Sequence, residues 1–231
     1  MSLLSLEAVC KRYRTEQRER TVLAEVNLRL QARELAIVWG ERRSGRSTLL
    51  RIAAGVQAPD SGNVWLEGAA LDDRSIGTGV GYVAKTLRAN EEQGVLEQIS
   101  TVLLARGVGV RAARERAREA LARTGGERCA EMTVSELSGG EALRVAIART
   151  LTLAPKVLVI DEPVANVEIS ERDEILALLR SLTTDGVAVL ASAGEAEQLA
   201  GADIALTLRD GQLHGQSREQ SAIVVALRRG A

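Results

Sequence analysis

LAIVWGERRSGRST, Leu35 to Thr48, is an apolar run of five residues, then a polar loop bracketed by glycines, then the start of a second apolar-periodic stretch, Ser47 to Ala54. That order reads as strand, loop and helix start, the setting in which a chain cradles a phosphate. The anion is held by backbone N–H groups converging at a helix N-terminus. Gly40 and Gly45 let the chain turn tightly and approach it with no Cβ in the way. Ser47 would offer its hydroxyl to Mg²⁺. Position 46 holds arginine where such loops carry lysine, so the charge is kept but spread over a longer planar fork; the exchange is not conservative. Taken alone, the nine residues Gly40 to Thr48 also fit a strand-to-helix turn with no ligand.

The chain has 231 residues, 45% of them hydrophobic and 26% charged, enough to bury a sizeable core as one domain or a domain with a subdomain. A net charge of -1 argues against a general role on nucleic acid. Arginines are interleaved with acids, as in RAARERAREALAR, Arg111 to Arg123. There Ala113, Ala117, Ala120 and Leu121 form an apolar stripe, and Glu119 stands four residues before Arg123. Two cysteines, Cys10 and Cys129, make no disulfide framework and lie in no metal-like cluster. No apolar run reaches the roughly 18 residues of a membrane span, and MSLLSLE at the start has an early acid in place of a basic, then apolar, leader. A cytoplasmic location is expected, with membrane contact through a partner. With no Phe, the core must be packed from Leu, Val, Ile and Ala.

Short β-rich segments open the chain at Leu3–Val9, Val22–Leu30, Leu35–Trp39 and Val64–Leu66, with a turn at Pro59-Asp60-Ser61-Gly62. After Gly79–Val83 the pattern turns helical around Val95–Leu104, Ala112–Arg123 and Glu141–Leu151, which implies a helical subdomain over about residues 86–150 of a single domain, 1–231. Val157–Ile160 is a compact apolar run ending in two acids, as for a buried parallel strand whose C-terminal end meets a ligand. Helices near Ser170–Leu182 and Glu195–Ala200 then alternate with strands at Val187–Ser192, Ile204–Leu208 and Gln212–His214. The fold class is α/β: a parallel-sheet core, a small antiparallel β portion and an α-helical subdomain.

Two further segments give the loop its meaning. LSGGE, Leu137 to Glu141, places a serine and paired glycines at a helix start, a second anion-binding N-terminus. VLVIDEP, Val157 to Pro163, sets Asp161 and Glu162 at a strand end, one carboxylate for Mg²⁺ and one for an attacking water. With GERRSGRST before them, LSGGE running into RVAIAR and then VLVIDEP, the chain resembles the nucleotide-binding subunits of ATP-binding cassette (ABC) transporters over nearly its whole length.

That resemblance implies a P-loop NTPase cassette with a RecA-like core, and a head-to-tail dimer with ATP between the phosphate loop of one subunit and the signature of the other. Tyr13 would stack on adenine. Gly40, Arg43, Ser44, Gly45, Arg46, Ser47 and Thr48 would hold the phosphates and Mg²⁺, with Ser47 and Asp161 toward the metal. Glu162 would orient or deprotonate the attacking water. Ser138, Gly139 and Gly140 would close on the γ-phosphate of the opposite site. The chain departs from the family pattern at Arg46, at Lys85, where a glutamine is usual, and at Ala193, where a histidine usually contacts the γ-phosphate. Glu168 stands where an aspartate is usual, and Arg43 where glycine is frequent. The implied function is an ATP-binding, ATP-hydrolysing subunit that powers a membrane transporter. Its partners would be a permease subunit and a second cassette, its cofactors ATP and Mg²⁺, its place the inner face of the membrane. The alternative is a catalytically impaired scaffold paired with a competent cassette.

Overall fold

The computed structural model describes residues 2–15, 18–71, 79–85, 91–199 and 201–217. Strands β1 (Leu4–Thr15), β2 (Arg18–Leu30), β4 (Ser61–Leu66) and β5 (Ala69–Ala70) form an antiparallel sheet in the order β2-β1-β4-β5. A second sheet holds β3 (Leu35–Trp39), β6 (Val80–Val83), β7 (Val157–Ile160), β8 (Ala188–Ala193), β9 (Ile204–Arg209) and β10 (Gln212–Ser217), in the order β10-β9-β3-β8-β7-β6. Its neighbours pair parallel except β10, which returns antiparallel on β9 through Asp210 and Gly211, both at positive φ.

The central strands read as unbroken apolar runs because both of their faces are covered. Alternate side chains part to opposite sides. Ala36, Val38, Val157, Val159, Ala188 and Leu190 pack with Leu49, Leu50, Ile52 and Ala53 of helix α1 (Arg46–Ala53) and with the antiparallel sheet. Leu35, Ile37, Leu158, Ile160, Val189 and Ala191 meet α4 (Gly139–Leu151) and α5 (Arg172–Thr184) on the other side. Helices α2 (Val95–Leu104) and α3 (Val110–Thr124) close a separate apolar cluster against α4, within the stretch where a helical subdomain is expected. Of its expected span, 86–90 lies outside the described residues, as do 218–231 of the expected domain.

Three expectations are corrected. The first strand does not stop at Val9 but runs to Thr15, so Tyr13 lies on β1, opposite Arg20 of β2. The buried stripe of α3 is as read, but Arg123 reaches Asp185 at 3.6 Å, while the i,i+4 pair on that helix is Arg111–Glu115 at 3.0 Å. Such exposed pairs contribute a few tenths of a kcal/mol, so packing decides between them. The helix read from Ser170 begins as a single 3-10 turn, Ile169–Glu171, and becomes α5 only at Arg172.

Candidate nucleotide-binding site

Strand β3 delivers Gly40 to the C-terminal edge of the parallel sheet, at the centre of its strand order. A Cβ at position 40 would lie 2.6 Å from the Leu208 carbonyl and from the Ser44 hydroxyl, so only glycine fits. Gly45 has φ 108° and faces Val22. Helix α1 starts directly after it with no side-chain cap and no acid in its first turn, which leaves its first N–H groups and positive dipole end for an anion. Arg43 takes a left-handed φ of 67°, the conformation glycine adopts freely at the same place.

A cleft of about 1020 Å³ opens over this loop. Tyr13, Arg43, Ser44, Gly45, Arg46, Ser47, Thr48 and Glu162 all line it, drawn from β1, the loop, α1 and the end of β7. The Tyr13 hydroxyl accepts from Gln57 Nε2 at 2.7 Å and lies 3.4 Å from Thr48 Oγ1. Partial desolvation raises the phenol pKa, but those two hydrogen bonds and the charges of Arg51 and Lys11 outweigh it and leave it below the usual tyrosine value.

The acidic pair is tied down from β8. Ser192 Oγ donates to Asp161 Oδ1 at 2.8 Å and accepts from the Glu162 N–H at 2.8 Å. That second bond helps hold Glu162 at φ 47°, a conformation costing on the order of 1 kcal/mol outside glycine. Sequence reasoning missed Ser192. Its signal was a lone hydroxyl closing the apolar run Val187–Ala191 next to an acid-tipped strand.

Arg46 is the centre of the cleft. It is 7% exposed, and its fork donates one nitrogen to Glu162 Oε1 at 2.7 Å and another to the backbone carbonyl of Ala193. Lys85 donates to the other oxygen of Glu162. Three of the departures read from the sequence therefore meet: Arg46 and Lys85 hold the two oxygens of one carboxylate, and Ala193 anchors the arginine. The Ala193 methyl does not face the cleft. Its residue is 1% exposed, with its side chain in the apolar cluster beneath α5. Arg172 and Glu195, also on the cleft wall and unread from the sequence, pair at 3.1 Å.

Ser138, Gly139 and Gly140 are not on this wall. They begin α4, where Ser138 Oγ accepts from the Glu141 N–H at 3.2 Å and the Glu141 carboxylate accepts from the Ser138 N–H at 2.9 Å, a reciprocal capping box. A Cβ on Gly139 would meet the Asn166 carbonyl at 1.7 Å, so this turn presses on the loop after β7.

The family description "ABC transporter" matches residues 23–165, which span the phosphate loop, LSGGE and VLVIDEP. The chain belongs to the ABC transporter family. As a member it is an ATP-binding subunit of the transport ATPase kind. The lipoprotein-releasing system ATP-binding protein LolD of Maricaulis maris is 37% identical over 220 residues, 91% of this chain and 96% of its own length. LolD of Gluconobacter oxydans is 34% identical over 221 residues, 92% and 95% of the two chains. Among solved structures, a dimeric bacterial ABC transporter cassette superposes with TM-score 0.84 at 25% identity, covering 93% of this cassette and 98% of its own chain. The same neighbour in a post-hydrolysis state holds ADP and phosphate.

The donors of this cassette do not suit the Mg²⁺ that the family implies. Ser47 lines the cleft, but Asp161 is buried behind it with its carboxylate bonded to Ser192. The carboxylates on the described wall, Glu162 and Glu195, are each ion-paired to a side-chain cation. A hard divalent ion needs oxygen ligands free of such partners, and an ammonium at its edge repels it.

Proposed function

We propose that this cassette binds ATP in the Arg46–Glu162 cleft and hydrolyses it when a second cassette closes its LSGGE over the γ-phosphate, with the closure driving a membrane permease. The single observation that carries this is the placement of the expected residues. The loop, Tyr13 and Glu162 share one cleft, while Ser138 and Gly139 are exposed outside it, available to another chain, with Gly140 buried behind them. In this reading Glu162 acts on the attacking water, and the γ-phosphate offers Arg46 an alternative anion, which frees the carboxylate. No helix among the described residues is long and apolar enough to cross a membrane, so the cassette would sit at the inner face through its permease. Relatives named for lipoprotein release and for taurine import are both 34% identical to it; cargo is therefore assigned to the permease.

Steady-state ATPase assays on the chain, alone and with its co-purified permease, test the role of Glu162. Glu162→Gln should lower turnover by roughly 10² to 10⁴ while ATP still binds. Unchanged turnover would remove Glu162 from the chemistry. One observation favours a second reading, a scaffold paired with a competent cassette: both Glu162 oxygens are held by cations. That reading predicts no turnover alone and LSGGE-dependent turnover with the partner.

A further inference from the structure

The described cleft wall carries Arg20, Arg42, Arg43, Arg46, Lys85 and Arg172 against only Glu162 and Glu195. The surplus is positive, and it surrounds a loop whose backbone N–H groups already suit phosphate. In the usual arrangement a divalent ion screens the outer phosphates from one another and from nearby carboxylates. Here Lys85 and Arg46 already neutralise Glu162 from both sides, and Asp161 is turned to Ser192. We infer that this cleft takes ATP as the metal-free, fully ionised triphosphate, with the Lys85 ammonium and the arginine forks occupying the electrostatic place of the divalent ion. The inference rests on the cleft being the ATP site. Arg46 suits the task because the nitrogen of its planar fork now on Glu162 can pass to a phosphate oxygen while the other stays on the Ala193 carbonyl, as a point-charge lysine cannot arrange. Lys85, half-exposed at the cleft mouth, lies where the outermost phosphate would come to rest against Glu162.

Calorimetric titration of the purified full chain with ATP, once in excess Mg²⁺ and once in excess EDTA, tests this. The dissociation constant in EDTA should stay within about fivefold of that in Mg²⁺. A larger weakening in EDTA overturns the inference and leaves ATP binding intact; no binding under either condition overturns both. Lys85→Gln, a change at a half-exposed side chain, should create metal dependence, weakening ATP in EDTA by about tenfold or more relative to Mg²⁺. If that variant binds ATP as well in EDTA as in Mg²⁺, Lys85 does not stand in for the ion and the inference fails.

Discussion

A guanidinium with one nitrogen on a carboxylate and another on a backbone carbonyl is fixed in two directions. Arg46 therefore orients Glu162 and also closes the end of β8 over the phosphate loop. At 7% exposure it would be costly without those partners, since an unpaired buried charge is strongly destabilising. The sequence pointed to position 46 as a change in the reach toward phosphate. The fold adds that the same side chain answers to Ala193, through a carbonyl that any residue at 193 would provide. Restoring the family histidine is consequently not a simple repair. Ala193→His must place an imidazole where a methyl is packed at 1% exposure, and should lower stability by about 1–3 kcal/mol without raising ATP turnover. Thermal denaturation and an ATPase assay on the same variant check this. An unchanged melting temperature with faster turnover would mean that the side chain swings into the cleft.

At the scale of the element, α4 carries the clearest local code in the chain. Its start is set by the Ser138–Glu141 box, its buried stripe by Val145, Ala146, Ile147, Ala148 and Leu151. Ser138→Ala should cost about 1 kcal/mol, readable in denaturant unfolding. The Glu141 carboxyl is held below its usual value first by the Ser138 N–H; partial burial opposes this, and the Ser138 hydroxyl and the Arg128 charge assist. A carboxyl whose folded pKa is depressed stabilises the fold fully above its unfolded pKa. That contribution is lost as pH falls through the lower folded value. Glu141→Gln should thus flatten part of the acid limb of a melting-temperature profile, and an acid limb identical to wild type would count against the box as a source of stability. Strand β1 was harder to read at this scale. KRYRT, Lys11 to Thr15, lacks an apolar alternation, and it is strand because Arg12, Tyr13, Arg14 and Thr15 pair with residues 18–21 of β2. That partner follows only a few positions later, and Arg12, Tyr13 and Arg14 are exposed, so backbone pairing here leaves no apolar alternation.

Over the whole molecule, the cleft and the LSGGE turn belong to one chain but, in the proposed dimer, to two different active sites. Mixing Glu162→Gln chains with Ser138→Ala chains tests that geometry, because in the proposed arrangement each homodimer is defective while the mixed dimer has one intact composite site. Random pairing should restore roughly a quarter of wild-type ATPase activity. No recovery on mixing would sink the head-to-tail arrangement.

Residues close in sequence settled much by themselves: the strand, loop and helix of Leu35 to Ala54, the capped start of α4, the doubly buried strand Val157–Ile160 and membership in a nucleotide-binding class. Each rests on local geometry, such as glycine torsions, helix caps and hydrophobic period, which short stretches encode. What Arg46, Lys85, Glu162, Ser192 and Ala193 do to one another was decided only by the tertiary structure. They come from the ends of separate strands and from the loop, up to 147 positions apart, and they meet because the parallel sheet gathers its strand ends at one edge. Electrostatics and hydrogen bonds act through space over a few ångströms. A sequence can therefore name the charges, and only the folded chain says which of them neutralise each other.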